Sequence, residues 1–325
     1  MTTSRQTMPM PRLHVPPFVR RNIGLFVVYG LLTALVIFGA LNSERFLTER
    51  NIFNVLRQAA FLGTVAIGQM LVILTAGIDL SVGSLVKLSV LVSALLMNGM
   101  PENTGLAVGA TLGLGVMVGA FHAFVITRLR VPPFVVTLGT FSILRGLSLT
   151  IATRPVGRAT PDVLGMYDLR VGPVPVLVIF FALLIAVTFL VLRRTRFGRY
   201  IYAVGGDEQV ARLSGIRVNR VKYGVYIMCS VLATVTGLMW LSRMGVGDPV
   251  IGDGLELETI TAVILGGTSL FGGVGGVIGT VGGVLLLGVT NNLLVVLNVN
   301  QWIQQLIQGI IIVAAVALYK QPHRR

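Results

Sequence analysis

Few residues in this chain are equipped for chemistry, and those few sit among apolar neighbours. The run TAGIDLSVGS at 75–84 places Asp79 between Gly77 and Gly83, with Ser81 and Ser84 close by. A carboxylate in such a run is expensive unless it lies at a membrane surface, caps a helix or faces a polar cavity. Asp79 therefore reads as the N-cap of a helix beginning at Leu80, near the cytoplasmic boundary, or as part of a gate; proton relay is a third use. Lys87, eight residues on, is too far along one helix to pair with Asp79, so any acid that meets it comes from another span. Asp253, Glu256 and Glu258 precede a further apolar run, where acids complement a helix dipole. The i,i+2 spacing of the two glutamates keeps them off one helix face and argues against a paired general acid and base. His14, His122 and His323 share no metal-ligand spacing. His122 reads as a cavity or packing residue, and the single cysteine, Cys229, as a small apolar filler.

The surroundings explain this scarcity. Of 325 residues 54% are apolar and only 12% charged, and the mean hydropathy is +0.85. A soluble chain is about 25% charged, so a nucleic-acid binder, a disordered tail protein and a secreted disulfide scaffold are excluded. The net charge of +14 is to be read against that background, in which basic residues mark the cytoplasmic side.

A membrane-crossing helix needs about 20 mostly apolar residues. The clear candidates are 23–41, 59–75, 105–127, 131–150, 174–192, 221–241, 277–297 and 303–319, with two less regular ones at 80–97 and about 255–270. The spacing predicts an all-α integral membrane protein of about ten helices, some broken or irregular. Residues 1–22, basic and proline-rich, read as a cytoplasmic arm; 23–319 form one transmembrane domain with the loop 193–222 in the cytoplasm; 320–325 are a cytoplasmic tail. With both termini inside, 17 of the 26 basic residues fall in the cytoplasm, seven outside, and Lys87 and Arg145 within or at the end of a span. That asymmetry satisfies the positive-inside rule, and removing two adjacent spans would preserve it.

Glycine supplies 39 residues, and the densest run is GGTSLFGGVGGVIGTVGG at 266–283. No lysine follows its glycines, so it is no phosphate-binding P-loop. It reads as close helix packing, or as a broken helix or turn at Gly266, Gly267, Thr268 and Ser269 that lines a pathway. The one sizeable charged segment, 193–222, carries eight basic and two acidic residues. Within it DEQVARLSGI offers Asp207 as an N-cap, Glu208 in the first turn and Gly215 as a stop. A capped short helix between two spans suits a cytoplasmic partner better than a bare anchoring loop. Spans with no catalytic constellation point to transport, and transport with no evident energy source points to a partner that supplies it.

Four stretches carry a resemblance over about residues 23–320: VAIGQMLVILTAGIDLSVGS (65–84), RVPPFVVTLGTFSILRGL (130–147), RRTRFGRYIYAVGGDEQVARLSGI (193–216) and GLELETITAVILGGTSLFGGVGGVIGT (254–280). The chain resembles the inner-membrane permease subunit of bacterial ABC sugar importers of the ribose/xylose/galactose class. The resemblance implies a cytoplasmic ABC ATPase that binds the ATP, a periplasmic or lipoprotein solute-binding protein, and a second permease, the same or homologous. The permease itself would hold no cofactor or metal, bind no nucleic acid and catalyse nothing.

It also implies that Glu208, Ala211, Arg212 and Gly215 couple to the ATPase, although Asp207, Gln209 and Val210 depart from the family's usual asparagine, glutamate and alanine. Asp79, Gly77 and Gly83 would form a gate or cytoplasmic boundary, with Ala76 replacing the first glycine of a usual pair. His122 and Ala123 stand where the family commonly has asparagine and glycine. His122, Thr137, Gly139, Thr140 and residues Gly266 to Ser269 are candidate pathway positions. A permease for a nucleoside or branched-chain amino acid, an ion-coupled carrier and an integral-membrane enzyme are the alternatives. The carrier would rest on Asp79 and Lys87 as its relay.

Overall fold

The computed structural model describes residues 23–300 and, beyond them, 302–304, 306, 307, 309, 310 and 313. The expected arm, the tail and much of the expected 303–319 span lie outside the described residues. Within them are α1 (Ile23–Asn42), α2 (Glu49–Leu74), α3 (Val82–Met97), α4 (Thr104–Arg128), α5 (Pro133–Ile151), α6 (Pro161–Asp168), a two-stranded hairpin of β1 (Arg170–Val171) and β2 (Val174–Pro175), α7 (Val176–Arg194), α8 (Arg196–Gly206), α9 (Glu208–Leu213), α10 (Val218–Met244), α11 (Leu255–Leu265) and α12 (Val277–Val296). Among the described residues seven helices, α1, α2, α4, α5, α7, α10 and α12, are long and apolar enough to cross a membrane. They coincide with seven of the eight clear candidates.

The two less regular segments fall short of a full crossing. The 80–97 segment forms the 16 residues of α3 and the 255–270 segment only the 11 of α11. At about 1.5 Å per residue they rise roughly 24 and 16 Å against a hydrocarbon thickness of about 30 Å. The 266–283 run resolves into both of its readings. Gly267, Gly272, Gly273 and Gly275 have positive φ and form a turn, whereas Gly279 and Gly283 sit where a Cβ would strike the carbonyls of Gly266 and Ala262.

Buried α3 lies at the centre. Helix α10 packs against α2, α3 and α4, and α12 against α1, α2 and α11. Large apolar side chains on α1, α4, α5 and α7, such as Phe26, Phe121, Leu138 and Leu183, stay exposed, as a lipid-facing perimeter requires.

The connections into the short helices are irregular backbone inside the bundle. Helix α2 ends with the N–H groups of Ala76 and Gly77 donating to the carbonyls of Ile73 and Val72 at 2.9 and 3.1 Å, a Schellman closure with Ala76 at φ 58°. After α10 the chain turns at Gly245, pairs Gly247 with Val156, and runs back beside α3. There Gly247 packs near Leu91 and Ala94, and Gly252 near Gly83 and Lys87. Segment 245–254 thus descends along α3 before α11 begins.

Candidate functional site

The chemically equipped residues fall into four groups at successive depths. Deepest from solvent is Asp79, which is fully buried with His122. Its Oδ1 accepts from the Ser81 N–H at 2.9 Å and the Ser81 hydroxyl at 2.7 Å, while Oδ2 lies 3.4 Å from His122 Nδ1. The Gln69 amide brackets the same residue, donating to the Asp79 carbonyl at 3.1 Å and accepting from its N–H at 3.3 Å. Gln69 lies five residues before the end of α2, so Asp79 sits about 7 Å inside that end. The Tyr226 ring meets His122 edge-on at 6.1 Å, and its hydroxyl abuts Gly77, where a Cβ would collide with it. The Tyr226 and Ser230 hydroxyls and His122 Nε2 have no hydrogen-bond partner among the described residues.

This corrects the expectation that Asp79 is the N-cap of a helix from Leu80. Helix α3 starts at Val82, its N-cap is Ser81, and no side chain caps it. The chain doubles back into the bundle before the helix begins, which carries Asp79 to Gln69 and His122. His122 lies behind this cluster and lines neither cleft described below.

The second group meets beside α3. Lys87, only 2% exposed, pairs with Asp253 Oδ1 at 2.6 Å, so its acid does come from another segment. Glu256 stands next to Gly83, where a Cβ would collide with its carboxylate and with the Gly252 carbonyl. Gly83 is thus needed for close approach.

On α5, Thr137 and Thr140 are buried and Gly139 is exposed, so the three expected pathway residues do not share a face. Thr137 donates to the carbonyls of Ile78 and Pro133 at 3.2 and 3.0 Å and fastens α5 to the turn before α3. Thr140 bonds only to its own helix, at the Val136 carbonyl.

The third group is the glycine turn. Gly266 and Gly267 line a cleft of about 720 Å³ with Arg193, Tyr202 and Gly273 to Gly279. Thr268 and Ser269 are buried and do not line it. The Gly273 N–H donates to the Leu74 carbonyl at 3.0 Å, and the Tyr202 hydroxyl to that of Gly275 at 2.9 Å.

The fourth group is α9. Asp207 accepts from the N–H groups of Gln209 and Val210 at 2.8 and 3.0 Å, capping the helix as its sequence predicts. Gly215 ends it at φ 80°, and buried Ala211 anchors it. Glu208 binds Arg212 at 3.0 Å and Lys222 at 2.6 Å. Burial pushes the Glu208 carboxyl up, but Lys222 and then Arg212 outweigh it and hold its pKa below the ordinary value. These side chains line a cleft of about 870 Å³ whose far wall is the α4–α5 connection with Arg128 and Arg130. That wall was not singled out in the sequence; the only sign of it was the pair of arginines before Pro132.

Among the described residues no three His, Cys, Asp or Glu side chains gather as a metal-ligand set. Helices broken inside an apolar bundle, polar residues held at depth, and a capped helix at a basic cleft define a multi-pass membrane transport protein. The chain belongs to the permease family whose model, described as "Branched-chain amino acid transport system / permease component", matches residues 51–316. It is similar to the ribose import permease protein of Escherichia coli K12, 40% identical over 299 residues that cover 90% of this chain and 91% of that one. The ribose import permease protein of Bacillus subtilis 168 is 37% identical, covering 98% of each chain. The D-allose transport system permease protein of Escherichia coli K12 is 36% identical, covering 91% of this chain and 90% of the other. No solved structure matches. The chain is a multi-pass protein of the bacterial inner membrane.

Proposed function

We propose that this chain is the membrane-spanning subunit of an ATP-driven importer that carries a monosaccharide into the cytoplasm by alternating access. The observation that carries the reading is α9, a six-residue helix fixed at both ends and held against a basic cleft. It gives a partner a rigid handle on a chain that has no energy source of its own, and the similar permeases are named for ribose and allose. ATP binds to a cytoplasmic ABC ATPase that docks on Glu208, Ala211, Arg212 and Gly215. A periplasmic or lipoprotein binding protein delivers solute, and a second permease copy or homologue completes the path.

The chain has about ten membrane helices, of which α3 and α11 reach only part of the way across, and both termini lie in the cytoplasm; residues 1–22 and 320–325 flank a single domain, 23–319. Gly77, Asp79 and Gly83 form the inner gate region. Gly139, Gly266 and Gly267 line the route, with His122, Thr137, Thr140, Thr268 and Ser269 behind it.

The test is ATP-driven uptake by the chain reconstituted with its ATPase and binding protein, compared with Glu208→Lys. Reversal of that charge should cut uptake and solute-stimulated ATP hydrolysis at least tenfold with membrane insertion intact. Wild-type rates in the variant would refute the coupling role. The buried Asp79–His122 pair favours one rival, an ion-coupled carrier, and uptake by the chain alone under a proton gradient without ATP would establish that rival.

A further inference from the structure

Lys87, Asp253 and Glu256 belong neither to the coupling cleft nor to the Asp79–His122 cluster, and their depth sets them apart. Lys87 lies ten residues, about 15 Å, from the Met97 end of α3, which is half the thickness of the hydrocarbon. Irregular backbone at that depth persists only where protein covers it or where it lines a water-filled cavity, and 245–254 is such backbone. Its Asp253 is 47% exposed and is followed by exposed Gly254 and Leu257. A carboxylate facing hydrocarbon would cost several kcal/mol, so this surface faces the water-filled path or the second permease that completes it.

Asp253 Oδ1 is taken by Lys87, and Oδ2 has no hydrogen bond among the described residues. Glu256 holds a buried Oε2 that is likewise unpartnered. Arg145 on α5 lies within electrostatic range of Glu256. With Glu258 also in electrostatic range of Glu256, three carboxylates meet two cations, a balance that disfavours an anionic solute. Glu256 Oε2 is packed against Gly83, so the oxygen open to a solute is on Asp253, where it suits donors that carry no charge, hydroxyl groups first among them.

We propose that Asp253, clamped by Lys87 and backed by Glu256, forms the mid-membrane contact for a polyhydroxylated solute. This rests on the importer reading. Because the clamp ties 245–254 to α3, relative movement of α3 and α11 changes the distance between the two carboxylates, and the contact tightens or releases with the transport cycle.

The experiment uses the complete importer in proteoliposomes. Asp253→Asn should lower the maximal uptake rate about tenfold, and Asp253→Glu should recover part of it. To separate contact from mere bracing, Asp253→Cys is placed in a Cys229→Ala background and treated with a charged, membrane-impermeant methanethiosulfonate. Leu257→Cys, four residues on and on the same exposed surface, serves if Asp253→Cys fails to assemble. Labelling that proceeds in the resting complex and slows at least fivefold with solute-loaded binding protein and ATP supports the contact. Wild-type uptake by Asp253→Asn, or labelling that is absent or unaffected by solute, overturns it. Absence of ATP-driven uptake by the wild-type complex would instead bring down the importer reading itself.

Discussion

At the scale of single residues, Ala76 and Asp79 show what four positions of chain can hide. Ala76 occupies the left-handed position that closes α2, where glycine is at no steric disadvantage and an L side chain costs roughly 1–2 kcal/mol. Ala76→Gly should stabilise the folded chain by about 1 kcal/mol after the loss of unfolded-state restriction is counted, measured by thermal unfolding in detergent; no gain would mean that the turn relaxes on its own. Asp79→Ala should do the opposite. It leaves His122 facing an empty buried site and removes the acceptor of two Ser81 hydrogen bonds, so a loss of about 3 kcal/mol or more is expected. Unchanged thermal stability in that variant would make the pair structurally idle. The sequence marked Asp79 as unusual because a carboxylate in an apolar run is visible by type alone. It could not place the residue, because Gln69 and His122 reach it only after the chain has reversed direction.

At the scale of elements, α9 was legible almost in full and the α10–α11 connection was not. Capping is local chemistry, since the Asp207 side chain bonds to N–H groups two and three residues on, so spacing reveals it. Asp207→Ala should cost about 1 kcal/mol and, in a helix this short, should fray it; reduced recovery of the ATPase with the purified chain is the expected result. The Glu208 network has its own pH signature. A carboxyl whose folded pKa lies below its unfolded value of about 4.5 contributes stability that is complete above that value and is lost as pH falls through the folded pKa. Docking that depends on Glu208 should therefore hold from neutral pH down to about 5 and fail only below the ordinary glutamate range, as read by ATPase binding across a pH series. The descent of 245–254 along α3 left no such mark. It depends on Gly83, Gly247 and Gly252 meeting backbone far away in sequence, and a glycine gives the same letter whether it turns, packs or idles. Likewise the 255–270 segment read as one irregular span while its Gly266–Ser269 end also read as a break or turn, and composition alone could not choose between close packing and a turn; the helix stops at Leu265.

At the scale of the whole molecule, these parts form one mechanical path. Helix α9 follows α8 directly, and the last turn of α8 carries Gly205, where a Cβ would drive into the Leu74 carbonyl and crowd the Gly273 N–H. That same carbonyl accepts from Gly273, so three segments converge at one point: α8 just before α9, the end of α2 before the Asp79 turn, and the glycine turn between α11 and α12. Under the proposed coupling role, a push on α9 would reach both incomplete helices, α3 through the Asp79 turn and α11 through the glycine turn. Gly205→Ala tests this path without touching the ATPase seat. The added methyl must displace α8 or α2, at an overpacking cost of about 1–3 kcal/mol. The reconstituted complex should still bind and hydrolyse ATP while the solute moved per ATP falls at least fivefold. A variant that assembles and transports with the wild-type ratio would show that the pull on α3 and α11 travels by another route, because a residue larger than glycine at this contact cannot leave the junction as it is.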